Sequence, residues 1–421
     1  MRSTRPAIWF ILVTVLLDTL GFGLLIPVAP SLIQQLEGWN EQQAAPYVGL
    51  LAATYAGLQF LCAPVLGALS DHFGRRPVLL VALLGSGIDY FAMALAPTLW
   101  VLFVTRAING MSGASFSVAN AYIADVTPGE KRSGAYAMIG AAFGVGFMLG
   151  PPMGGILGDI DLRYPFYAAG ALTLVNWVYG LVVLPESLPR EQRAVITFKR
   201  ANPIAVFGGL GRYPLVVELA MSIFFANLAQ FGLHMTWALY TASRYGWSKT
   251  DIGVSLLVVG IGAAAVAAYA GKVIRRMGEP RAILIGIAIG TLAFVGYGAA
   301  TQGWMIYAIV ALASFGGIGQ PAMQSMITRT VRHDEQGRTQ GALSALQNIA
   351  QIIGPLIATN IFAYFSSDRA PVRIFGASFY SGAVLCAVSF FVAWWALARH
   401  ASEARPVETE PAVGAGDTEA S

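Results

Sequence analysis

Charge is what this sequence has least of. Only 11% of its 421 residues are Asp, Glu, Lys or Arg, roughly half the ~25% share usual in soluble domains, which excludes a chain folded wholly in water. Histidine is nearly as scarce: four residues, set far apart at positions 72, 234, 333 and 400. Without a nucleophile beside a base, or a cluster of metal-ligating side chains, an enzyme is not expected, nor is a metal site of the protein's own. The two cysteines, Cys62 and Cys386, fall in apolar stretches far from each other, so a stabilising disulfide is not expected either.

What the sequence has in abundance is long charge-poor runs. A spanning helix needs about 20 consecutive apolar residues, because the hydrocarbon layer is ~30 Å thick and a helix rises ~1.5 Å per residue. Twelve stretches qualify: Ala7 to Pro30, Tyr47 to Ser70, Pro77 to Ala96, Leu99 to Ala124, Ser133 to Gly158, Tyr164 to Leu184, Tyr213 to Tyr240, Ile252 to Gly271, Ala282 to Thr301, Trp304 to Thr328, Thr339 to Phe365 and Ile374 to Ala398. Their unbroken hydrophobicity excludes barrel strands, which alternate in segments of about 10 residues. An all-α membrane protein of 12 transmembrane helices follows. The first stretch is longer than the apolar core of a secretory signal and reads as a retained helix.

Lys and Arg accumulate on the cytoplasmic side of membranes. With the N-terminus inside, 20 of the 26 basic residues fall in inner segments, five in outer loops, and Arg106 within a span. Both termini are therefore expected in the cytoplasm. The net charge of +4 reflects this bias and calls for no nucleic-acid partner.

The longest inner connection, 185–212, separates six spans from six, giving an N-terminal half at 1–184 and a C-terminal half at 213–398. Residues 399–421, acidic and rich in Pro, Ala and Gly, read as a disordered cytoplasmic tail. A constant shift of 204 places Gly67 on Gly271, Gly74 on Gly278, Gly113 on Gly317 and Gly150-Pro151 on Gly354-Pro355, an internal repeat. It also places Asp71 on Arg275 and Asp125 on Arg329, acid against base. Halves repeated in parallel, related by a pseudo-two-fold axis along the membrane normal, typify transporters that rock around a midplane site.

Three sets of residues carry the chemistry. The first inner loop reads Gly67-Ala-Leu-Ser-Asp71-His-Phe-Gly74-Arg75-Arg76. Gly67 permits close helix approach, Gly74 a tight turn, and Asp71 can pair with a cation or helix N-terminus across the halves; Asp71→Asn is expected to lower transport without abolishing substrate binding. The fifth span carries Gly146, Gly150, Pro151, Gly154 and Gly155, with glycines four apart on one helix face. Charges inside spans cost ~2.5 to 3.5 kcal/mol and are functional candidates. They are Asp18, Asp89 and Arg106. Hydrocarbon favours the neutral form of a carboxyl group, so Asp18 or Asp89 can bind and release protons; the structural alternatives are a helix cap for Asp18 and simple pairing of Asp89 with Arg106.

Glu218 and His234, towards the two ends of the seventh span, read as structural groups. Gln59, Asn109, Asn120, Asn227, Gln230, Gln324, Gln347, Asn348 and Gln351 are polar positions that either line a cavity or bond between helices.

The Gly67 to Arg76 run resembles the G-x-x-x-D-x-x-G-R-R signature of the major facilitator superfamily, and Gly146 to Gly155 resembles the fifth-helix signature of its antiporter branch. Further segments resemble the tetracycline/proton antiporters of bacterial inner membranes: Leu17-Asp18 through Pro27-Val28-x-Pro30, Gln59 to Gly67, Asp89-Tyr90, Gly113-Ala114, Ala121 to Asp125, Leu184-Pro185-Glu186-Ser187, and Gly316 to Gln324. The match is dense only in the N-terminal half. It implies that Asp18, Gln59 and Asp89 handle substrate or protons, that Asp71, Arg75 and Asp125 form a cytoplasmic gate, and that Arg106 joins the charge network of the fourth helix. It also implies a drug carried as a divalent-cation chelate, such as with Mg²⁺, and no cofactor of the protein's own. The second half departs from the family: Ala263 and Ala267 stand where it places a His and a Gln, and Gly290 where it places an Asp.

The resulting expectation is proton-coupled efflux of a tetracycline-type drug by a monomer in the bacterial inner membrane. An exporter of another drug or metabolite, or a facilitator or symporter for nutrient uptake, would share the fold.

Overall fold

The computed structural model describes residues 4–113, 115–127, 129–193, 211–332 and 335–400. Of the expected linker, 194–210 lie outside the described residues, as do residues 401–421 of the expected tail. The described chain forms fifteen α-helices: α1 (Thr4–Leu25), α2 (Ala29–Glu37), α3 (Glu41–Phe73), α4 (Arg75–Ala94), α5 (Leu99–Ser112), α6 (Ser115–Val126), α7 (Gly129–Ile160), α8 (Tyr164–Val183), α9 (Pro214–Tyr245), α10 (Lys249–Met277), α11 (Glu279–Ala299), α12 (Gly303–Ser314), α13 (Gly319–Thr330), α14 (Gln336–Ser366) and α15 (Ala377–Arg399). No strand occurs among them, as expected where hydrocarbon obliges the backbone to satisfy its own hydrogen bonds.

Eleven helical segments are long and apolar enough to cross a membrane among the described residues. The twelfth crossing is α5 with α6, and here the continuous helix expected over Leu99 to Ala124 is corrected: α5 stops at Ser112 and α6 starts at Ser115. The tenth span breaks at the same place in the repeat, where Phe315–Ile318 tightens into a 3₁₀ turn between α12 and α13. Glycines at these points, Gly113 and Gly316-Gly317, weaken the helix where it must bend.

The first span also ends earlier than the expected Pro30. The chain turns after Leu25, and α2 lays Pro30, Leu32 and Ile33 inward. Gly38, in the left-handed region at φ 68°, ends α2, and Asn40 caps α3 in a box with Gln43. The same device recurs before α10, where Gly246 at φ 65° precedes Ser248 boxed with Asp251. Gly38-Trp39-Asn40 and Gly246-Trp247-Ser248 are thus a second echo between the halves, at a shift of 208.

The 204-residue repeat is exact in the backbone over the middle of each half. α4 begins at Arg75 and α11 at Glu279, α5 at Leu99 and α12 at Gly303, α6 at Ser115 and α13 at Gly319. The glycines that turn the chain into α4 and α11 adopt the same unusual conformation, Gly74 at φ 107° and Gly278 at φ 82°. Only glycine populates that region without strain.

Burial shows how the halves meet. One apolar core gathers side chains from both, from Leu20 and Leu32 to Trp237, Phe294 and Phe379. Two others stay within single halves: one around Phe10, Leu79 and Tyr122, and one around Leu219, Ile283 and Met326. The shared core lies towards the face opposite the termini, the separate cores towards the face bearing them. Across the shared side, a Cβ built at Gly253 of α10 would lie 2.8 Å from Pro152 Cα of α7, and one at Gly49 of α3 would lie 3.0 Å from the Pro355 carbonyl of α14. The Asp159 carboxylate of α7 accepts the Lys249 and Thr250 backbone N–H groups at 3.1 and 2.9 Å, capping α10 of the other half. Towards the terminal face, a Cβ at Gly67, Gly134, Gly140 or Gly144 meets nothing within 4 Å. The molecule is closed at one face and open at the other.

Candidate functional site

The site is built where α1, α3, α4 and α5 converge in the first half. Their approach depends on small residues: a Cβ at Gly110 of α5 would lie 2.6 Å from the Tyr55 carbonyl of α3, and one at Gly21 of α1 would lie 3.1 Å from the Tyr90 hydroxyl of α4. Asp89, 4% exposed, accepts a hydrogen bond at 2.6 Å from the Nδ2 of Asn109, itself 6% exposed. Its second oxygen, Oδ1, is buried with no hydrogen-bond partner. Arg106 sits over the Tyr55 ring, 5.6 Å from its centroid, a cation–π contact. Asp18, Asp89 and Arg106 all lie within electrostatic reach of the Tyr55 and Tyr90 hydroxyls. The two acids and the one base that the sequence carries inside its early spans therefore belong to a single cluster.

Gln59 explains the break in the fourth span. Its Nε2 donates to the Gly113 carbonyl at 2.9 Å and lies 3.3 Å from the Tyr55 hydroxyl, so it satisfies an acceptor that the end of α5 leaves without an intrahelical donor. Tyr55 and Tyr90 were not singled out as site residues from sequence. The signal for Tyr55 was its spacing, one helical turn before Gln59.

The residues of the first inner loop gather at the terminal face. Arg75 pairs with Asp71 and, at 3.1 Å, with Asp125, and donates to Ser70 Oγ at 2.7 Å. Ser187 donates to Asp125 at 3.1 Å, while Glu186 accepts from the Arg75 backbone N–H at 2.8 Å and so caps α4. Arg76 donates to the Leu181 carbonyl at 2.7 Å. Asp71 thus pairs within its own half, and Gly67, expected to permit close helix approach, faces open space because the halves part on this face.

In the second half the same position holds an ion pair of opposite polarity. Glu279 pairs with Arg329 at 2.7 Å and accepts from Ser325 at 2.6 Å, so Arg75–Asp125 becomes Glu279–Arg329 at the shift of 204. Inside the membrane the halves differ outright, since Tyr55, Gln59, Asp89, Arg106 and Asn109 correspond to Val259, Ala263, Ala293, Val310 and Ala313. A Cβ at Gly290, like one at Gly67, would meet nothing within 4 Å.

The glycine stripe of α7 serves packing on α1. Gly146, Gly150 and Gly154 face the carbonyls of Leu16, Leu20 and Leu24 in turn, and at Gly150 a Cβ would lie 2.7 Å from Leu20 O. Pro151 and Gly155, on another face, meet Gly253 and Lys249 of α10 across the halves. The counterpart of Gly150 repeats the contact: a Cβ at Gly354 would lie 2.6 Å from Leu228 O of α9. Glu218, read as structural, lies 3.5 Å from Arg399 and 3.4 Å from His400, tying α9 to the end of α15.

The comparisons agree with this architecture. A family model described as Major Facilitator Superfamily matches residues 11–309 and 219–419. The tetracycline resistance protein, class C, of Escherichia coli is 43% identical over 382 residues, covering 90% of this chain and 96% of that protein. The class H tetracycline resistance protein of Pasteurella multocida is 35% identical, covering 86% of this chain and 90% of its own. A bacterial homolog of the human lysosomal transporter Spinster, solved in an inward-facing and unoccupied conformation, superposes with a TM-score of 0.76 at 15% identity, over 96% of this chain and 99% of that one, a likeness of fold. With twelve crossings in two repeated halves and a charged cluster between the helices of the first, the chain is a multi-pass membrane transporter that belongs to the Major Facilitator Superfamily and, within it, to the family of the tetracycline resistance proteins.

Proposed function

We propose that this protein expels tetracycline, as its chelate with a divalent cation, out of the cytoplasm in exchange for protons. The observation that carries the reading is Asp89: a carboxylate held among four spans, with one oxygen bonded to Asn109 and the other buried and unpartnered. A lone acceptor in a low-dielectric site is where a proton is worth most, and charge neutralisation there is what couples a carrier to a proton gradient. With Arg106 the two ionised acids leave the cluster at a net charge of −1, so protonating one carboxylate brings it to neutrality. The two acids, Asp18 and Asp89, also suit a cationic metal chelate, which makes proton and drug competitors for the same negative charge.

The rest of the reading follows from placing the terminal face in the cytoplasm, as the Lys and Arg bias favours. The open face then admits substrate from inside the cell. The closed face, with Asp159 on the N-terminus of α10, is the outer gate. Closure of the inner face would bring Asp71, Arg75 and Asp125 towards Arg275 and Arg329 of the second half, opposite charges that favour the closed arrangement. The protein works in the bacterial inner membrane as a monomer, and a divalent ion such as Mg²⁺ enters only with its substrate.

The test is tetracycline uptake into inverted membrane vesicles energised by a proton gradient with Mg²⁺ present. Uptake that collapses with an uncoupler, and that Asp18→Asn reduces, is the expected result. Absence of uptake by the native chain would remove tetracycline as the substrate.

A further inference from the structure

The second half lacks charges in its eighth and ninth spans, yet α9 presents a polar stripe at the depth of the first-half cluster. Asn227, Gln230 and His234 are spaced three and four apart, hence on one face. That face is turned away from Gly232, which packs on Gly354 and Ala358 of α14. Its register is informative. Gly150 packs on the Leu20 carbonyl of α1 and its counterpart Gly354 on the Leu228 carbonyl of α9, so Leu20 corresponds to Leu228 and Asp18 to Ala226. The stripe therefore begins one residue beyond the position that mirrors Asp18 and continues towards the closed face.

Gln230 Nε2 lies 3.1 Å from His234 Nε2, and the His234 ring lies 5.8 Å from Phe147 of the opposite half. Phe147 in turn is parallel to Phe143, at 6.5 Å and an interplanar angle of 4°. Gln230 is exposed and His234 half-buried, on the side of α9 that faces α7 of the other half.

We propose that Gln230 and His234 form the second-half contact for substrate, a neutral hydrogen-bonding pair that takes the oxygen-bearing edge of a planar, polyhydroxylated ligand; this rests on the efflux reading above. With the Gln230 amide donating to Nε2, the imidazole proton sits on Nδ1. The pair then offers an imidazole N–H, a second amide N–H and an amide oxygen. A keto–enol edge of alternating acceptors and donors matches that set, and the Phe147 ring lies where it can cover the face of a flat ring system. The division of labour is chemical: the first half holds the charge that exchanges with protons, and the pair on α9 reads the uncharged oxygens. A pair that only tied α9 to itself would be enclosed by its own half, whereas this one meets an aromatic ring of the other.

The experiment is binding of tetracycline with Mg²⁺ to the full-length protein in lipid nanodiscs, read by ligand fluorescence, beside transport in vesicles. Gln230→Leu and His234→Leu should each raise the Kd about tenfold, the effect of losing one hydrogen bond to substrate. His234→Gln, which keeps a donor there, should recover most of it. Transport should show a raised KM with uncoupler sensitivity retained, separating these variants from Asp89→Asn. Native binding with both leucine variants unchanged would overturn the pair and leave efflux standing; no native binding would overturn both. Gln230 is exposed, so Gln230→Leu decides the matter alone if His234→Leu does not fold.

Discussion

Between α4 and α5 the first half buries Asp89 against Asn109, with Arg106 one turn away; between α11 and α12 the second half has Ala293, Ala313 and Val310 at the same repeat positions. The backbones there are equivalent, with helices beginning at positions 204 apart and Gly74 and Gly278 turning the chain alike. What is retained between the halves is therefore what sets geometry: glycines at close approaches, a Gly-Trp-cap entry to α3 and α10, a break in the fourth and tenth spans. What has diverged is chemistry, because a side chain between helices can change while the glycine contacts that hold those helices stay in place. On the proposed reading, proton handling is the work of one half.

The sharpest way to break that comparison is to remove the buried acid. Asp89→Asn is expected to lower proton-driven transport by about 100-fold or more, the scale on which a positioned proton carrier acts. Ala293→Ser, at its counterpart, should stay close to native. Initial rates in inverted vesicles decide it, and a native rate for Asp89→Asn would end the one-sided account.

Where the comparison asserts likeness, the expected effects are equal. Gly150→Ala and Gly354→Ala each push a Cβ to 2.7 and 2.6 Å from a neighbouring carbonyl oxygen. Each should destabilise by about 1–3 kcal/mol, the usual range for overpacking. Thermal unfolding in detergent would measure it, and a tolerant Gly354 would show that the second half is packed more loosely than its twin.

The smallest effect tests the inverted ion pairs. Arg75→Glu sets three acids together and should cost roughly 1 kcal/mol at this partly buried site, where adding Asp125→Arg should restore most of the loss by rebuilding the polarity seen at Glu279–Arg329. A double-mutant cycle on unfolding free energy reads the coupling. If the double variant is no more stable than the single, the two pairs are not equivalent.

The crossings and their repeat were legible because both are written in hydropathy and in glycine spacing, which depend on neighbours in sequence. The inversion of Arg75–Asp125 into Glu279–Arg329 was also present at the shift of 204, but its meaning as an ion pair needed the fold to bring α4 to α6 and α11 to α13. The sequence singled out Asp18, Asp89 and Arg106 by the cost of charge in hydrocarbon. It could not say that they share one cluster with Tyr55 and Tyr90, since these residues come from four helices. His234 read as a structural group near a span end, because nothing in its own segment announces Phe147, 87 positions earlier and in the other half.

Sequence alone determined that this is a membrane-spanning helical protein made of two repeated halves, since in hydrocarbon the backbone must close its own hydrogen bonds and only long apolar helices can do so. Tertiary structure decided which face is open and which charges gather. Those outcomes depend on contacts between helices far apart in the chain, where a missing Cβ at Gly110 or Gly150 fixes how closely two backbones approach, and no local pattern encodes that distance.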